Sequence, residues 1–431
     1  MYTEKMETKD GMLQLGGVSA VELVKNYGTP VYVMDEGKIR TAMQAFRKAM
    51  EKHYGGNGLI CYASKAFCCK EICRIAKSEG LGIDVAGAGE VYTASDAGFN
   101  MECAYFHGNN KTAAELKLAL ESGVGRVVVD NLEELKLLDS LASKLNKEIN
   151  VLLRIKPGVE AKTPHEYIKT GGLDSKFGFG LETGEALAAV KAALKTKNIK
   201  LKGIHCHIGS QILYSQPFKL TAEIMVGFLA QIKKETGAEL AELNLGGGFG
   251  VVYTQEDKPV PIDEMVNAIC QTIKKAAKEN NLKQPFLVLE PGRSIVAEAG
   301  STLYTVGNVK VIPNIRTYVA VDGGMFENPR YALYKSKYEM LIANKANQLK
   351  DTSVTVVGKC CESGDKLGES VPLQKAEAGD ILAVLGTGAY NFSMASNYNR
   401  NVRPPVVTVN NGSHRLIVKA AHPRTLSDHD I

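Results

Sequence analysis

No long hydrophobic run interrupts this sequence. None approaches the roughly 20 apolar residues of a membrane span, so a transmembrane helix is not expected. Neither sign of charge is in large excess. The 52 Lys and Arg stand interspersed with 47 Asp and Glu, for a net charge of +5. That balance argues against a nucleic-acid groove or a membrane-surface patch as the main purpose. The opening MYTEKMETKDG is charged and has no apolar core, so it does not read as a signal peptide. Low-complexity linkers, short fixed repeats and paired CxxC sets are also missing. Nine cysteines, an odd number, lie mostly inside apolar segments, as expected of reduced thiols in a cytosolic protein. Cys68, Cys69 and Cys73, at a helix start, read as buried structural thiols rather than zinc ligands.

What is there is a rhythm. Continuous apolar runs alternate with amphipathic stretches: LICYASKA, LGIDVAG, CAYFHG, RVVVDN, VLLRIKP, LKGIHCHI, ELNLGGG and PFLVLEPG. Between them lie helical patterns such as CKEICRIAKSEG, LEELKLLDSLASKLN and AEIMVGFLAQIKK. Continuous apolar strands are what helices covering a parallel sheet require. Eight such units over roughly 250 residues match a (β/α)8 TIM barrel, with a doubly wound open sheet as the runner-up. After about residue 300 the texture changes. STLYTVGNVKVI, TYVAVDGG, SVTVVGK, DILAVLGTG and PVVTVNNGSHRLIV read as a C-terminal antiparallel β domain. TPVYVMD near residue 30 is a similar strand. The expected division is a barrel over 37–300, with a β-sandwich or barrel built from 1–36 and 301–431 completing the active site.

Function in such a barrel sits at the C-terminal ends of the strands. Lys65 ends the first strand. On its own it reads either as a lysine snorkelling from a strand end or as a nucleophile, for instance a Schiff-base lysine. Asp84 ends the second strand. His205-Cys206-His207 and Ser210 follow the sixth, Gly246-Gly247-Gly248 the seventh, and Glu290-Pro291-Gly292-Arg293 the eighth. A glycine run after strand seven lets backbone N–H groups close on a phosphate, with Arg293 and Ser210 in support. Pyridoxal phosphate needs an amine for its aldehyde, a phosphate cradle and a partner for its ring nitrogen. Lys65, the glycine run and Glu290 offer one candidate for each, which favours the nucleophilic reading of Lys65. The His205/His207 pair raises metal binding, but no third and fourth ligand is evident. An imidazole packing on the cofactor ring suits His207 better.

Taken together, YASKAF, HCHIGSQI, LNLGGGFG, EPGRSIV, VDGGMFENPRYALY, CCESGD and GTGAYNFSMASNYN make the chain resemble the fold-type III pyridoxal-phosphate decarboxylases. That alanine-racemase-like group includes ornithine, arginine and diaminopimelate decarboxylases, and the likeness is strongest to the last. The resemblance implies that Lys65 carries the cofactor, His207 stacks on its ring, and Asp84 lies close by. It also implies that Glu290 pairs with the ring nitrogen, while Ser210, Gly246, Gly247, Gly248, Gly292, Arg293 and Tyr390 serve the phosphate end. Arg293, Arg330, Tyr334, Glu362 and Tyr390 would contact the substrate, and Cys361 would return a proton after CO2 leaves. In the family the CCESGD segment comes from a partner subunit, which implies a head-to-tail homodimer with a shared active site. The implied reaction converts meso-2,6-diaminopimelate to L-lysine and CO2, the last step of lysine biosynthesis. The alternative is a decarboxylase of another D-amino acid or of a carrier-linked amino acid.

Three segments depart from the family pattern. DVAGAGE places Gly87 and Ala88 where Ser and Gly are common. GKCCESGD replaces a Gly-Pro lead-in with Lys359 and Cys360. KSKYEM stands where a histidine pair is frequent.

Overall fold

A computed structural model describes residues 7–159 and 175–431. The first six residues, on which the signal-peptide expectation partly rests, lie outside the described residues. Two compact units emerge: Ala42–Gly250 with Pro259–Gly292, and the chain up to Thr41 with Val251–Lys258 and Arg293–Ile431.

In the first unit all eight expected strands form: β1 (Gly58–Ala63), β2 (Gly82–Val85), β3 (Ala104–Phe106), β4 (Arg126–Val129), β5 (Ile149–Lys156), β6 (Ile199–His205), β7 (Glu242–Asn244) and β8 (Phe286–Leu289). Each pairs in parallel with its neighbours. β1 meets β8 at Leu287 and Gly58, and β4 meets β5 at Val127 and Val151, so the sheet closes into a barrel. Helices separate the strands because most apolar runs give way to a stripe with 3.6-residue spacing. Lys70–Ser78, for example, buries Ile72, Cys73, Ile75 and Ala76. Ala113–Ser122 starts at a full capping box between Thr112 and Glu115, worth about 1 kcal/mol. One helix, Ala88–Asp96, has no pronounced apolar stripe and is not legible as a helix in the sequence. Gly87 caps it without a side chain, and Glu90 takes the N–H of Ala86 at 2.6 Å.

The barrel interior packs Cys61, Tyr105, Val128, Leu152 and Val288. Its N-terminal end is closed by Glu242, which accepts from the Tyr105 hydroxyl at 2.6 Å and from Arg126 Nε at 3.0 Å. At the opposite end the strands carry Asp84, His107, Arg154, His205, Asn244 and Glu290, all buried. So many polar groups inside a strand barrel must satisfy one another.

The second unit is built on a nine-stranded sheet. Its long strand Gly300–Ile312 pairs antiparallel with Val31–Asp35, Arg316–Val321 and Ile381–Leu385. The TPVYVMD segment therefore joins this sheet. Alternation along the strands feeds two cores: Leu303, Leu341 and Ala383 enter one, while Tyr304, Met340, Leu382 and Val384 enter the other. The sheet is mixed rather than purely antiparallel. Arg316–Val321 runs parallel to Thr352–Val357, and Val406–Asn410 parallel to Val31–Asp35. Both parallel pairs join segments distant in sequence, beyond the reach of hairpin signals.

Candidate active site

Lys65 sits on a short 3-10 turn, Ser64–Ala66, directly after β1. The buried Tyr62 hydroxyl donates to the carbonyl of Phe67 at 2.7 Å and fixes this turn. A side chain at Gly292 would stand 2.9 Å from the Ala63 Cβ, so glycine there lets the chain after β8 pass close to the end of β1. Lys65 is exposed, and its charge bears on Asp84, Glu90 and His207. Burial pushes the Asp84 and Glu90 carboxyls up, and the ammonium of Lys65 works against that rise.

Glu290 is the centre of the barrel cluster. It follows β8 and is 5% exposed. Its Oε1 accepts from Asn244 Nδ2 at 2.7 Å and lies 2.9 Å from His107 Nε2, while Oε2 lies 3.3 Å from His205 Nε2. Burial works against its ionisation. His107 and His205 overcome that and hold the carboxyl well below the ordinary range. His205 is pushed down to about 3 by burial, despite Glu290 beside it. His205 and His207 thus part company. His205 turns into the barrel, whereas Nδ1 of His207 accepts from the N–H of Gly247 at 3.3 Å. Burial first, and then the charges of Lys65 and Arg154, hold His207 well below its usual range.

The glycine turn is a cradle that only glycine can form. A Cβ on Gly246 (φ +67°) would meet the Cys206 carbonyl at 2.5 Å, one on Gly247 the Glu290 carbonyl at 2.1 Å, and one on Gly248 (φ +108°) the Gly209 carbonyl at 2.4 Å. The loop carrying Ser210 is pinned to this turn, since Ile212 N donates to the Gly248 carbonyl at 2.9 Å.

Arg293, Arg330, Tyr334 and Tyr390 come together in the second unit. Arg330 is buried, donating through Nε to the Tyr338 hydroxyl at 2.8 Å and through Nη2 to Ser336 Oγ at 3.1 Å. Its guanidinium lies 5.4 Å from the Tyr334 ring and 5.9 Å from that of Tyr390. Arg293 donates to the Tyr253 hydroxyl at 2.6 Å and lies 4.8 Å from the same Tyr390 ring. Tyr390 holds φ +61°, an uncommon conformation for a bulky residue. Among the described residues no carboxylate pairs with Arg330, so its buried charge rests on neutral partners, an arrangement that can receive an anion.

Cys361 and Glu362 are not drawn into that cluster. Both are exposed, and no described hydrogen bond or ion pair joins them to Arg330. Cys361 N donates to Asn399 Oδ1 at 2.9 Å, and Glu362 Oε1 accepts from Gly364 N at 2.9 Å. The adjacent Cys360 thiol is pushed up to about 12 by burial and by Asp365.

Several residues of these clusters were not singled out in the sequence. His107 and Asn244 are lone polar residues at the ends of short strands. Arg154 lies within β5, its guanidinium 4.1 Å from the Phe177 ring. Tyr253 is an isolated aromatic. Ser336 and Tyr338 belong to KSKYEM, so the departure from the family pattern itself supplies two partners of Arg330.

The barrel residues fit pyridoxal phosphate. They provide an amine on a fixed turn, a backbone cradle that tolerates no side chain, and a buried carboxylate kept anionic whose Oε2, among the described residues, has one hydrogen-bond partner at 3.3 Å. Comparison agrees. The pyridoxal-binding domain of the pyridoxal-dependent decarboxylases matches residues 36–297, and barrel and cradle alike place the chain in that class of cofactor-dependent enzymes. Diaminopimelate decarboxylase from Bacillus methanolicus is 48% identical over 425 residues, covering 99% of this chain and 98% of that protein. The Bacillus subtilis (strain 168) enzyme of the same name is 47% identical, covering 97% of this chain and 95% of that protein. Among solved structures, diaminopimelate decarboxylase from M. jannaschii in complex with L-lysine superposes with a TM-score of 0.92 at 35% identity, covering 100% of this chain and 98% of that one. The chain belongs to the diaminopimelate decarboxylase family.

Proposed function

We propose that this enzyme removes the carboxylate from the D-configured end of meso-2,6-diaminopimelate, giving L-lysine and CO2, with pyridoxal phosphate as cofactor. The observation that carries the substrate assignment is Arg330, buried among tyrosines and a serine with no carboxylate partner among the described residues. A substrate with two carboxylates loses one and needs a cation for the other.

When bound, pyridoxal phosphate supplies an electron sink for the pair left behind as CO2 departs. Lys65 would hold its aldehyde carbon, and the Gly246–Gly248 turn with Ser210, Gly292, Arg293 and Tyr390 its phosphate. Glu290, kept anionic, holds the proton of the ring nitrogen in place. Asp84 lies near that carboxylate, and the neutral His207 offers its ring face. Arg330 and Tyr334, with Arg293 and Tyr390, orient the retained carboxylate, and Glu362 receives the distal ammonium. The thiol of Cys361 returns a proton to the carbon that lost CO2.

We further infer that Cys361 and Glu362 act in the site of a second copy of the chain. Their exposure, and the absence of described contacts to Arg330, support a homodimer with shared sites. The nine free thiols support a cytoplasmic location, and no helix among the described residues is long and apolar enough to cross a membrane.

The test is a mixing experiment. Protein loaded with pyridoxal phosphate is given meso-diaminopimelate while visible absorbance, CO2 and lysine are followed. Release of both products, abolished in Lys65→Ala, is expected. A cofactor absorbance without product reassigns the substrate, and no absorbance overturns the reading of Lys65. Mixing inactive Lys65→Ala with inactive Cys361→Ala should recover about a quarter of wild-type activity if subunits exchange at random and share sites. No recovery after verified exchange would rule out the shared site.

A further inference from the structure

Two buried carboxylates converge on one nitrogen in the barrel. His107 Nε2, at the end of β3, lies 2.9 Å from Glu290 Oε1 and 3.7 Å from Asp84 Oδ1. The acids come from β8 and β2 and are 5% and 2% exposed. Like charges this close cannot both persist in a dry environment without something between them, and otherwise one of the pair takes up a proton.

The neighbours of His107 narrow what can provide that separation. His205, from β6, packs edge-on against the His107 ring with centroids 4.9 Å apart. It reaches Glu290 but is driven neutral by burial, so it adds a hydrogen bond and no charge. Arg154, from β5, acts on both acids from a distance, while its own guanidinium faces Asp130 at 3.9 Å and the Phe177 ring. Lys65 bears on Asp84 and is the residue assigned to the cofactor aldehyde. Among the described residues, His107 alone faces both acids with the same nitrogen.

We propose that His107 is a positioning residue: seated between Asp84 and Glu290, it separates the two acids and so fixes both the charge and the aim of Glu290 toward the cofactor ring. Asp84 then acts on the ring through His107. The inference rests on Glu290 as the partner of the ring nitrogen, the reading given above. It predicts that removing the imidazole harms cofactor binding because the two acids then compete, and that removing one acid as well relieves the harm. A purely structural His107 would make the second substitution neutral or worse.

The experiment is a titration of pyridoxal phosphate into cofactor-free wild type, Asp84→Asn, His107→Gln and the double variant, followed by fluorescence. His107→Gln should weaken binding at least 10-fold, and the double variant should bind more tightly than His107→Gln alone. A double variant no tighter than the single one overturns the proposal, as does unchanged binding by His107→Gln. Failure of wild type to bind would instead strike the reading of the site itself. Should His107→Gln not fold, the proton on His107 Nε2 can be followed by NMR in cofactor-free wild type and Asp84→Asn. Its resonance should move when the Asp84 charge is removed, and an unmoved resonance would refute the shared contact.

Discussion

The Nε–H of Arg330 points at the hydroxyl of Tyr338, 2.8 Å away, and that hydroxyl also accepts from Asn391 at 3.2 Å. Tyr338 thus fixes the direction of the guanidinium proposed to hold the retained carboxylate. Tyr338→Phe removes the aiming group and, among the described residues, leaves Ser336 as the hydrogen-bond partner of Arg330. A hydrogen bond to a charged group contributes about 1.5–3 kcal/mol. The KM for diaminopimelate should therefore rise about 10-fold, with kcat changed much less. Steady-state kinetics would check this, and a fall in kcat at constant KM would contradict the role given to Arg330.

Gly247 leaves no room for a methyl group, since its Cβ would stand 2.1 Å from the Glu290 carbonyl. Gly247→Ala must displace either the turn or the backbone of Glu290. We expect pyridoxal phosphate affinity to fall at least 10-fold and the cofactor-free protein to lose about 1–3 kcal/mol of stability, the usual cost of overpacking. A cofactor titration and a denaturant melt measure the two effects separately.

Asp365 ties two loops together. It accepts from Met325 N at 2.6 Å and from Cys360 N at 2.7 Å, joining the segment that leads to Arg330 with the segment that carries Cys361. Asp365→Ala leaves both N–H groups without this acceptor, at about 1–3 kcal/mol each if they stay buried. The melting temperature should drop, and kcat should fall more than 10-fold while cofactor affinity holds. Loss of cofactor affinity as the main effect would count against this linkage.

Glu327 is fully buried, and burial pushes its carboxyl up to about 8 although Gly324 N donates to it at 2.8 Å. The folded protein thus binds this proton more tightly than the unfolded chain does. Its contribution to stability is present below the unfolded value near 4.5 and is lost as pH rises through about 8. Glu327→Gln cannot ionise, so its melting temperature should fall less than that of wild type between pH 5 and pH 8.5, a window set by those two values. Parallel pH profiles for the two proteins would show that Glu327 does not titrate in this range.

The barrel was legible because its strands are buried on both faces and read as unbroken apolar runs. Ile60 to Ala63 and Val127 to Val129 could hardly be anything else. Lys65, Glu290 and the glycine run stood out because a cation, an acid and three consecutive glycines each break an unbroken apolar run at its end. His107 and Asn244 did not, since a single polar residue at the end of a three-residue strand carries no periodic signal. Their meaning depends on which strands become neighbours around a closed sheet. Tyr338 was hidden differently: eight residues from Arg330, it reaches the guanidinium only through the turn after Arg330–Tyr334. The parallel pairs of the second sheet were hidden for the same reason as His107, because pairing partners distant in sequence leave no local mark.

Glu242, Arg126 and Tyr105 seal the end of the barrel opposite Glu290. Durability and chemistry are thereby assigned to opposite rims of one cylinder. Variation at the sealed rim would be felt in heat tolerance before it is felt in the chemistry. A descendant of this chain that changed its substrate would be expected to keep Glu242 and rewrite the neighbourhood of Arg330.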